Sequence, residues 1–267
     1  MNSIYIERHF ARMGSRFQVT RPETRRQTDS YSVNIQRDSA GDYFALRVPP
    51  EIDSDLNVAV LQVLPRDRHL LLYVHQDGKE EKDRYLCGHD ERDWFVAAVP
   101  GNVSTVRDAR EALKPDRVRR EQLIRGVPQG HLNRRRNEAF LRQGEWFFVE
   151  EHALRVDRNR ILRNEPIRRG GGKPHIVAEV FRSGGDTVYV HRLFPNGVLQ
   201  EEYARIIAGN RNMPPRQWRT MMRNPAVYAR GTVRHPDHKT ITLPVWHQVL
   251  MNTETETRTM RSVAFLD

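Results

Sequence analysis

The sequence has a single cysteine, Cys87, among its 267 residues. An internal disulfide needs two cysteines and a cysteine-rich zinc site needs several, so both are excluded. No apolar run approaches the roughly 20 residues that a bilayer-spanning helix needs. The first 26 residues also lack the roughly 7–15-residue apolar stretch of a secretory signal. We therefore expect a cytoplasmic protein with no membrane partner.

Diagnostic catalytic motifs are also absent. There is no His-Glu-x-x-His pattern of a zinc protease helix. The segment Arg168-Arg-Gly-Gly-Gly-Lys173 resembles a phosphate loop, but Ile167 stands where a Walker loop needs glycine and Pro174 where it needs Ser or Thr. Cys87 lies two residues before His89, yet its setting is typical of a buried strand residue rather than a nucleophile. The sequence leaves open whether the protein is an enzyme.

Lysine is scarce, whereas arginine is abundant. Only five of the 44 Lys+Arg residues are lysines, and the net charge is +10. The codon usage of a GC-rich genome would give the same bias, so the distribution of the charge is better evidence than its amount. Residues 105–142 carry a net charge of +6 and residues 155–173 a net charge of +5. Clustered arginine suits phosphate groups, because its planar guanidinium donates paired hydrogen bonds.

The apolar pattern predicts an ordered α+β protein. Hydrophobic residues make up 38% of the chain and the mean hydropathy is −0.73, which is polar but sufficient for a core. Turn signals separate most of the predicted strands, so we expect two antiparallel strand-rich lobes joined by a basic helical segment. The expected division is a basic N-terminal arm over residues 1–30, a strand-rich lobe over 31–103, the basic helical segment over 104–144, and a strand-rich lobe with short helices over 145–267.

Several local elements follow from the same patterns. The N-terminal region is expected to be a basic arm or a short strand at Ser3–Ile6. A strand is predicted over residues 261–267 and a helix at Trp218–Met222. In the basic segment, helices are predicted after Ser104, after Pro115 and from Leu132 to Leu141. Strand patterns on both sides of residues 183–186 and of residues 235–238 predict two hairpins.

The basic segments indicate a nucleic-acid partner, which is the first functional hypothesis. We expect the protein to contact the phosphate backbone of RNA or single strands through an arginine-rich helical face, because no duplex-reading motif is visible. The candidate contact residues are Arg117, Arg120, Arg134, Arg135, Arg136, Arg168, Arg169 and Lys173.

The histidines suggest a second hypothesis. His235 and His238 flank Pro-Asp in the predicted hairpin tip, and His247 follows nine residues later. Imidazoles at such spacing can bind zinc or another first-row divalent metal. This gives the alternative of a metal-dependent nuclease or hydrolase that uses the three histidines and Asp237, with His175 or His191 as an added ligand. No other cofactor is expected.

A third hypothesis treats the basic surface as structural. In that case the protein is an assembly component, and its positive face meets an acidic partner or a second copy of the chain. Self-association is therefore also an expected property to test.

Overall fold

The computed structural model describes residues 3–21, 30–169, 172–210 and 212–256. These residues form a mixed α+β structure with four α helices and four β sheets. They divide into two compact units, the first containing residues 3–119 and 252–256 and the second residues 120–251. Within the described ranges, no helix has the length and apolar character needed to span a membrane.

The first unit combines two sheets with short helices. Its elements are α1 (Ser3–Arg12), β1 (Phe17–Thr20), β2 (Ser32–Asp38), β3 (Gly41–Arg47), β4 (Leu56–Leu64), β5 (His69–Gln76), β6 (Lys82–Asp90), β7 (Asp93–Ala98) and α2 (Val106–Ala112). Helix α3 (Asp116–Ile124) begins in this unit and ends in the second. Strands β4 to β7 form an antiparallel meander, whereas β3 lies between a parallel β1 and an antiparallel β2.

The start of the chain is a helix, so the strand predicted at Ser3–Ile6 is wrong. Ile6 and Phe10 are fully buried in the core of the first unit. The Phe10 ring packs 4.8 Å from that of Phe17 and 4.9 Å from that of Phe44, measured between ring centroids. The four-residue spacing of Ile6 and Phe10 is the helical signal that outweighs the β-branched residues at the start.

The last described residues return to the first unit. Thr253 donates from its backbone N–H to the carbonyl of Leu113 at 3.1 Å and from its hydroxyl to the carbonyl of Ala112 at 2.6 Å. The buried carboxylate of Glu254 accepts a hydrogen bond from the backbone N–H of Ala98. The second unit is therefore an insertion within the first. The strand predicted over residues 261–267 lies outside the described residues.

The second unit contains a six-stranded antiparallel sheet and a three-stranded one. The elements are β8 (Leu141–Gln143), β9 (Trp146–Glu150), β10 (Leu162–Ile167), β11 (His175–Ser183), β12 (Asp186–His191), β13 (Phe194–Val198), α4 (Gln200–Gly209), β14 (Arg219–Arg223), β15 (Ala226–Arg234) and β16 (Ile241–Met251). The strand orders of the two sheets are β10-β11-β15-β16-β9-β8 and β13-β12-β14.

One of the two predicted hairpins forms. Strands β15 and β16 pair on both sides of residues 235–240, as expected. The hairpin predicted around residues 183–186 is wrong, because β11 pairs with β10 and β15 while β12 pairs with β13 and β14. Gly184 and Gly185 both have positive φ, and a Cβ at Gly185 would lie 2.8 Å from the carbonyl oxygen of Arg223. The glycine pair thus carries the chain from one sheet to the next.

Two predicted helices are also wrong. Residues 219–223 form strand β14, which pairs with β12. Residues 132–140 form turns, and Arg136 makes an isolated bridge with Leu141. The side-chain oxygen of Asn137 accepts hydrogen bonds from the backbone N–H groups of Ala139 and Phe140. This Asx-type turn competes with helix, and the apolar spacing of the segment does not overcome it.

Candidate metal centre

Strand pairing brings three histidines together in the second unit. β11 begins at His175 and β15 ends at Arg234, and their antiparallel register sets Ile176 opposite Arg234. This register places His175 beside His235, and the two rings stack with centroids 4.2 Å apart. The His238 ring lies 4.6 Å from that of His235 and 5.6 Å from that of His175. One ring nitrogen from each histidine lies within 4.8 Å of the other two.

His175 is the most buried member of this histidine cluster. Its side chain is 1% exposed, and neither ring nitrogen has a hydrogen-bond partner among the described residues. A buried polar atom without a partner costs on the order of 1–3 kcal/mol, and a metal ion bound at one nitrogen would remove part of that cost. Burial, followed by the neighbouring rings of His235 and His238, lowers the pKa of His175 to about 3. The imidazole is therefore neutral at pH 7, which is the form that ligates metals.

His235 has two backbone neighbours that orient its ring. Its Nδ1 accepts a hydrogen bond from the backbone N–H of Asp237 at 3.1 Å, and the ring also hydrogen-bonds with the backbone of Lys173. A metal ion at Nδ1 would replace the hydrogen bond from Asp237 and keep the hydrogen bond with Lys173. A ring N–H donated to a backbone carbonyl is the usual way in which proteins orient a ligating histidine. Burial, then the ring of His238, lowers the pKa of His235.

The turn between β8 and β9 lies against the histidine cluster. Gly144 in this turn has φ +58°, and a Cβ there would lie 2.8 Å from Nε2 of His238 and 3.5 Å from Nε2 of His175. The Nε2 atoms of both rings therefore face the space beside Gly144, which only glycine leaves open. The preceding residue, Gln143, is 1% exposed and donates from Nε2 to the carbonyl of Lys239 at 2.7 Å. This bond fixes the loop that carries His235 and His238.

An ion pair lies at the edge of the cluster. The ammonium of Lys173 lies 2.8 and 2.7 Å from the two carboxylate oxygens of Asp237. The hydrogen bond from Lys173 lowers the pKa of Asp237, so the carboxylate is ionised at neutral pH. Glu145 is close enough to favour the protonated form of His235 electrostatically. Negative charge next to an imidazole group also favours a bound cation.

The geometry fits a metal ion after a small contraction. Tetrahedral zinc with Zn–N bonds of about 2.1 Å holds its ligand atoms about 3.4 Å apart. The three histidine nitrogens, at most 4.8 Å apart, reach that spacing with side-chain rotations of about an ångström. Three histidine ligands are the number found in zinc sites that keep one position for water, whereas structural sites have four protein ligands.

The other sequence-predicted ligands lie elsewhere. His247 is in β16, and its partner across the sheet is Ala229 of β15. Ala229 precedes His235 by six residues, which corresponds to roughly 20 Å along an extended strand. Its Nδ1 makes a 2.8 Å contact with the carbonyl oxygen of Val245. His191 is in the three-stranded sheet, with its Nε2 3.3 Å from the side-chain oxygen of Gln217. The structure therefore groups His235 and His238 with His175 rather than with His247.

The sequence alone does not indicate the supporting residues. Its patterns give His175 only as an added ligand, and they do not point to Gly144 or Gln143. A glycine between two strand patterns signals a tight turn, but the sequence contains no sign that this turn meets the loop of residues 235–238.

The arginines of the basic segment lie on two kinds of structure. Arg117 and Arg120 belong to helix α3, whereas Arg134, Arg135 and Arg136 lie in the turn region that follows it. The side chains of Arg120, Arg134 and Arg136 are exposed and have no hydrogen bond or ion pair with another described residue. These three guanidinium groups are therefore available to an external anion.

Other arginines of the segment are neutralised internally. Arg119 forms an ion pair with Asp116, and Arg125 forms pairs with Glu121 at 3.5 Å and Glu150 at 3.4 Å. Exposed pairs of this kind stabilise little, about 0–1 kcal/mol each. They do, however, reduce the positive charge that a partner would meet.

The second basic stretch adjoins the histidine cluster. Arg168 is exposed and Arg169 half-buried, both directly after β10, and Lys173 lies two residues before His175. Of the eight predicted nucleic-acid contacts, Lys173 is therefore the one that the structure places at the candidate metal centre.

Comparison of the chain with protein-family models, with curated proteins and with solved structures found no match.

Proposed function

We propose that this protein is a metal-dependent hydrolase whose divalent ion, best matched by zinc, is bound by His175, His235 and His238. The observation that carries the proposal is the convergence of three imidazoles, one of them the buried His175, whose ring nitrogens have no hydrogen-bond partner among the described residues. With three protein ligands, a fourth position is left for water. A zinc ion lowers the pKa of such a water to about 7 and so supplies hydroxide at neutral pH.

The test is metal content together with hydrolysis in the full chain. Purified protein is stripped with a chelator, reloaded with Zn²⁺ and analysed for bound metal. We expect one ion per chain, metal-dependent hydrolysis of an activated ester, and loss of both in His175→Ala. The matched control is His152→Ala, because His152 is an exposed histidine of the same unit whose ring contacts Glu150. A wild-type chain that binds no zinc would contradict the proposal.

A second candidate function is nucleic-acid binding. It is supported by the exposed side chains of Arg120, Arg134 and Arg136, which have no internal partner among the described residues. In this proposal the basic segment of residues 104–144 joins two strand-rich lobes and presents arginine to the phosphate backbone of RNA or single strands. Such contacts release counterions, so the affinity falls as salt rises.

The second candidate is tested by purifying the protein without nuclease treatment and recording the 260/280 nm absorbance ratio at low and high salt. We expect a high ratio that falls with salt. Replacing Arg120, Arg134 and Arg136 with glutamine should then lower the salt slope for a single-stranded oligonucleotide by about 2–3. The control changes three exposed arginines of the first unit, Arg12, Arg47 and Arg66, in the same way. A protein-like ratio at both salt concentrations contradicts this candidate, and a large oligomer free of nucleic acid favours an assembly role.

A further inference from the structure

Basic residues flank the histidines of the cluster in the sequence. Lys173 precedes His175 by two residues, Arg234 directly precedes His235 and Lys239 directly follows His238. All three side chains are exposed. The structure places the ammonium of Lys173 beside Asp237, whereas a guanidinium nitrogen of Arg234 lies 3.5 Å from the side-chain oxygen of Asn164.

Lys173 is held at the cluster by two independent contacts. Its ammonium bridges both carboxylate oxygens of Asp237, which lies between two of the histidines in sequence. Its backbone hydrogen-bonds with the ring of His235. The side chain as a whole is 63% exposed. An exposed lysine whose ammonium is fixed beside a metal site is an arrangement that recognises an oxyanion.

We infer that the substrate of the metal centre is a phosphate ester and that Lys173 contacts the phosphoryl oxygens, an inference that rests on the proposed function. A phosphodiester carries a negative charge that a carboxylic ester lacks, and it gains from the metal ion and the ammonium together. The same chemistry serves a nucleic-acid backbone or a small phosphate ester, and the choice of substrates in the test separates them.

The reaction would consume one water. A metal ion held by His175, His235 and His238 would supply the chemistry of a water activated at neutral pH, and that water would lose a proton to solvent while its oxygen forms a bond to phosphorus. The bond between phosphorus and the leaving oxygen would break, with its electron pair staying on that oxygen, which would take a proton from solvent. A phosphodiester would thus give a phosphate monoester and an alcohol. Lys173 would stabilise the charge on the phosphoryl oxygens without exchanging a proton.

The substrates that test this inference are bis(p-nitrophenyl) phosphate, p-nitrophenyl phosphate and p-nitrophenyl acetate, each supplied to the zinc-loaded full chain. We expect a larger metal-dependent rate enhancement over the uncatalysed reaction for a phosphate ester than for the acetate. Turnover of the diester points to a polynucleotide backbone, and turnover of the monoester alone points to a small phosphate. Hydrolysis of the acetate with neither phosphate ester overturns the inference but leaves the hydrolase. A chain that binds no zinc overturns both.

The role of Lys173 is tested by substitution. Lys173→Gln should raise KM for the phosphate ester about tenfold with metal content unchanged, and Lys173→Arg, which keeps the charge, should restore most of the affinity. The control is Lys79→Gln, an exposed lysine of the first unit. If Lys173→Gln lowers zinc content and thermal stability but leaves KM unchanged, the lysine only supports the loop and its assigned contact is wrong.

Discussion

Two buried histidines of the second unit's large sheet have opposite surroundings. His175 is 1% exposed and His247 is fully buried, and burial lowers the pKa of both. His247 is in the middle of a strand and has a ring nitrogen in contact with the carbonyl oxygen of Val245. His175 is at the start of a strand, beside two other imidazoles, with no hydrogen-bond partner among the described residues. Burial alone therefore does not make a site, whereas convergence of ligand atoms does.

The largest expected difference comes from deleting each of these histidines. His175→Ala removes one of three metal ligands and should weaken zinc binding by at least about 100-fold, because even changes to residues that only orient ligands cost about 10- to 100-fold. His247→Ala should leave zinc affinity unchanged and lower the free energy of unfolding by about 2 kcal/mol through a core cavity. Competitive titration of Zn²⁺ against a chromophoric chelator measures the affinities, and urea unfolding measures the stability.

The opposite zinc affinities in the two variants would contradict this comparison. Loss of zinc affinity in His247→Ala, with normal affinity in His175→Ala, would mean that the ligands are those suggested by sequence spacing rather than those grouped by strand register.

A smaller effect is expected from closing the space beside Gly144. Gly144→Ala places a methyl group 2.8 Å from Nε2 of His238 and should weaken zinc binding about tenfold. Gly126→Ala is a matched control, because its φ of +59° nearly equals the +58° of Gly144 but no atom lies within 4 Å of its Cβ position. Both variants should lose about 1 kcal/mol of stability from backbone strain. Equal zinc affinities in the two variants would show that the space beside Gly144 is not the binding site.

An effect of a few-fold is expected at Gln143. Gln143→Leu removes the hydrogen bond to the carbonyl of Lys239 and loosens the loop that carries two histidines. The control is Gln122→Leu, since Gln122 is also buried and donates to the carbonyl of Leu132 at 2.7 Å. Both variants should be destabilised by about 1–3 kcal/mol, measured by urea unfolding. Zinc affinity should fall only in Gln143→Leu, and a fall in both would indicate a general loss of structure.

In the native state, no reaction with a thiol reagent is expected at the single cysteine. Cys87 is fully buried in the first unit, and burial raises the pKa of its thiol well above the usual range. It should therefore resist a thiol reagent such as iodoacetamide until the protein unfolds in denaturant. Labelling of the native chain at a rate that matches a free thiol would contradict this placement.

Local patterns predicted much of the fold, and the errors have identifiable physical causes. The meander of the first unit and the β15–β16 hairpin follow from alternating apolar residues and short turns, which depend on neighbours in sequence. At Ser3–Ile6 the β-branched residues favour a strand locally, whereas the burial of Ile6 and Phe10 against residues that follow later in the chain selects the helix. The helix predicted from Leu132 was displaced by the Asn137 turn, whose hydrogen bonds satisfy the backbone locally.

The candidate metal centre was only half predictable for a related reason. His235 and His238 are in one loop, so their proximity follows from sequence. The third ligand depends on the pairing of β11 with β15, two strands separated by more than forty residues and by a second sheet. Without that register, His247 appeared nearer than His175, because it is closer along the chain. Sequence spacing measures proximity only within a turn or a helix, whereas a sheet joins distant segments.

Cobalt titration of the wild-type chain tests the central claim most directly. Co²⁺ replaces zinc in sites of this kind and shows visible absorption bands whose intensity reports a four-coordinate environment. We predict that these bands appear on titration of the metal-free chain, reach their maximum at one Co²⁺ per chain, disappear on addition of Zn²⁺, and are missing in His175→Ala. A wild-type chain that develops no such bands and takes up no zinc would contradict the assignment of the histidine cluster as a metal site.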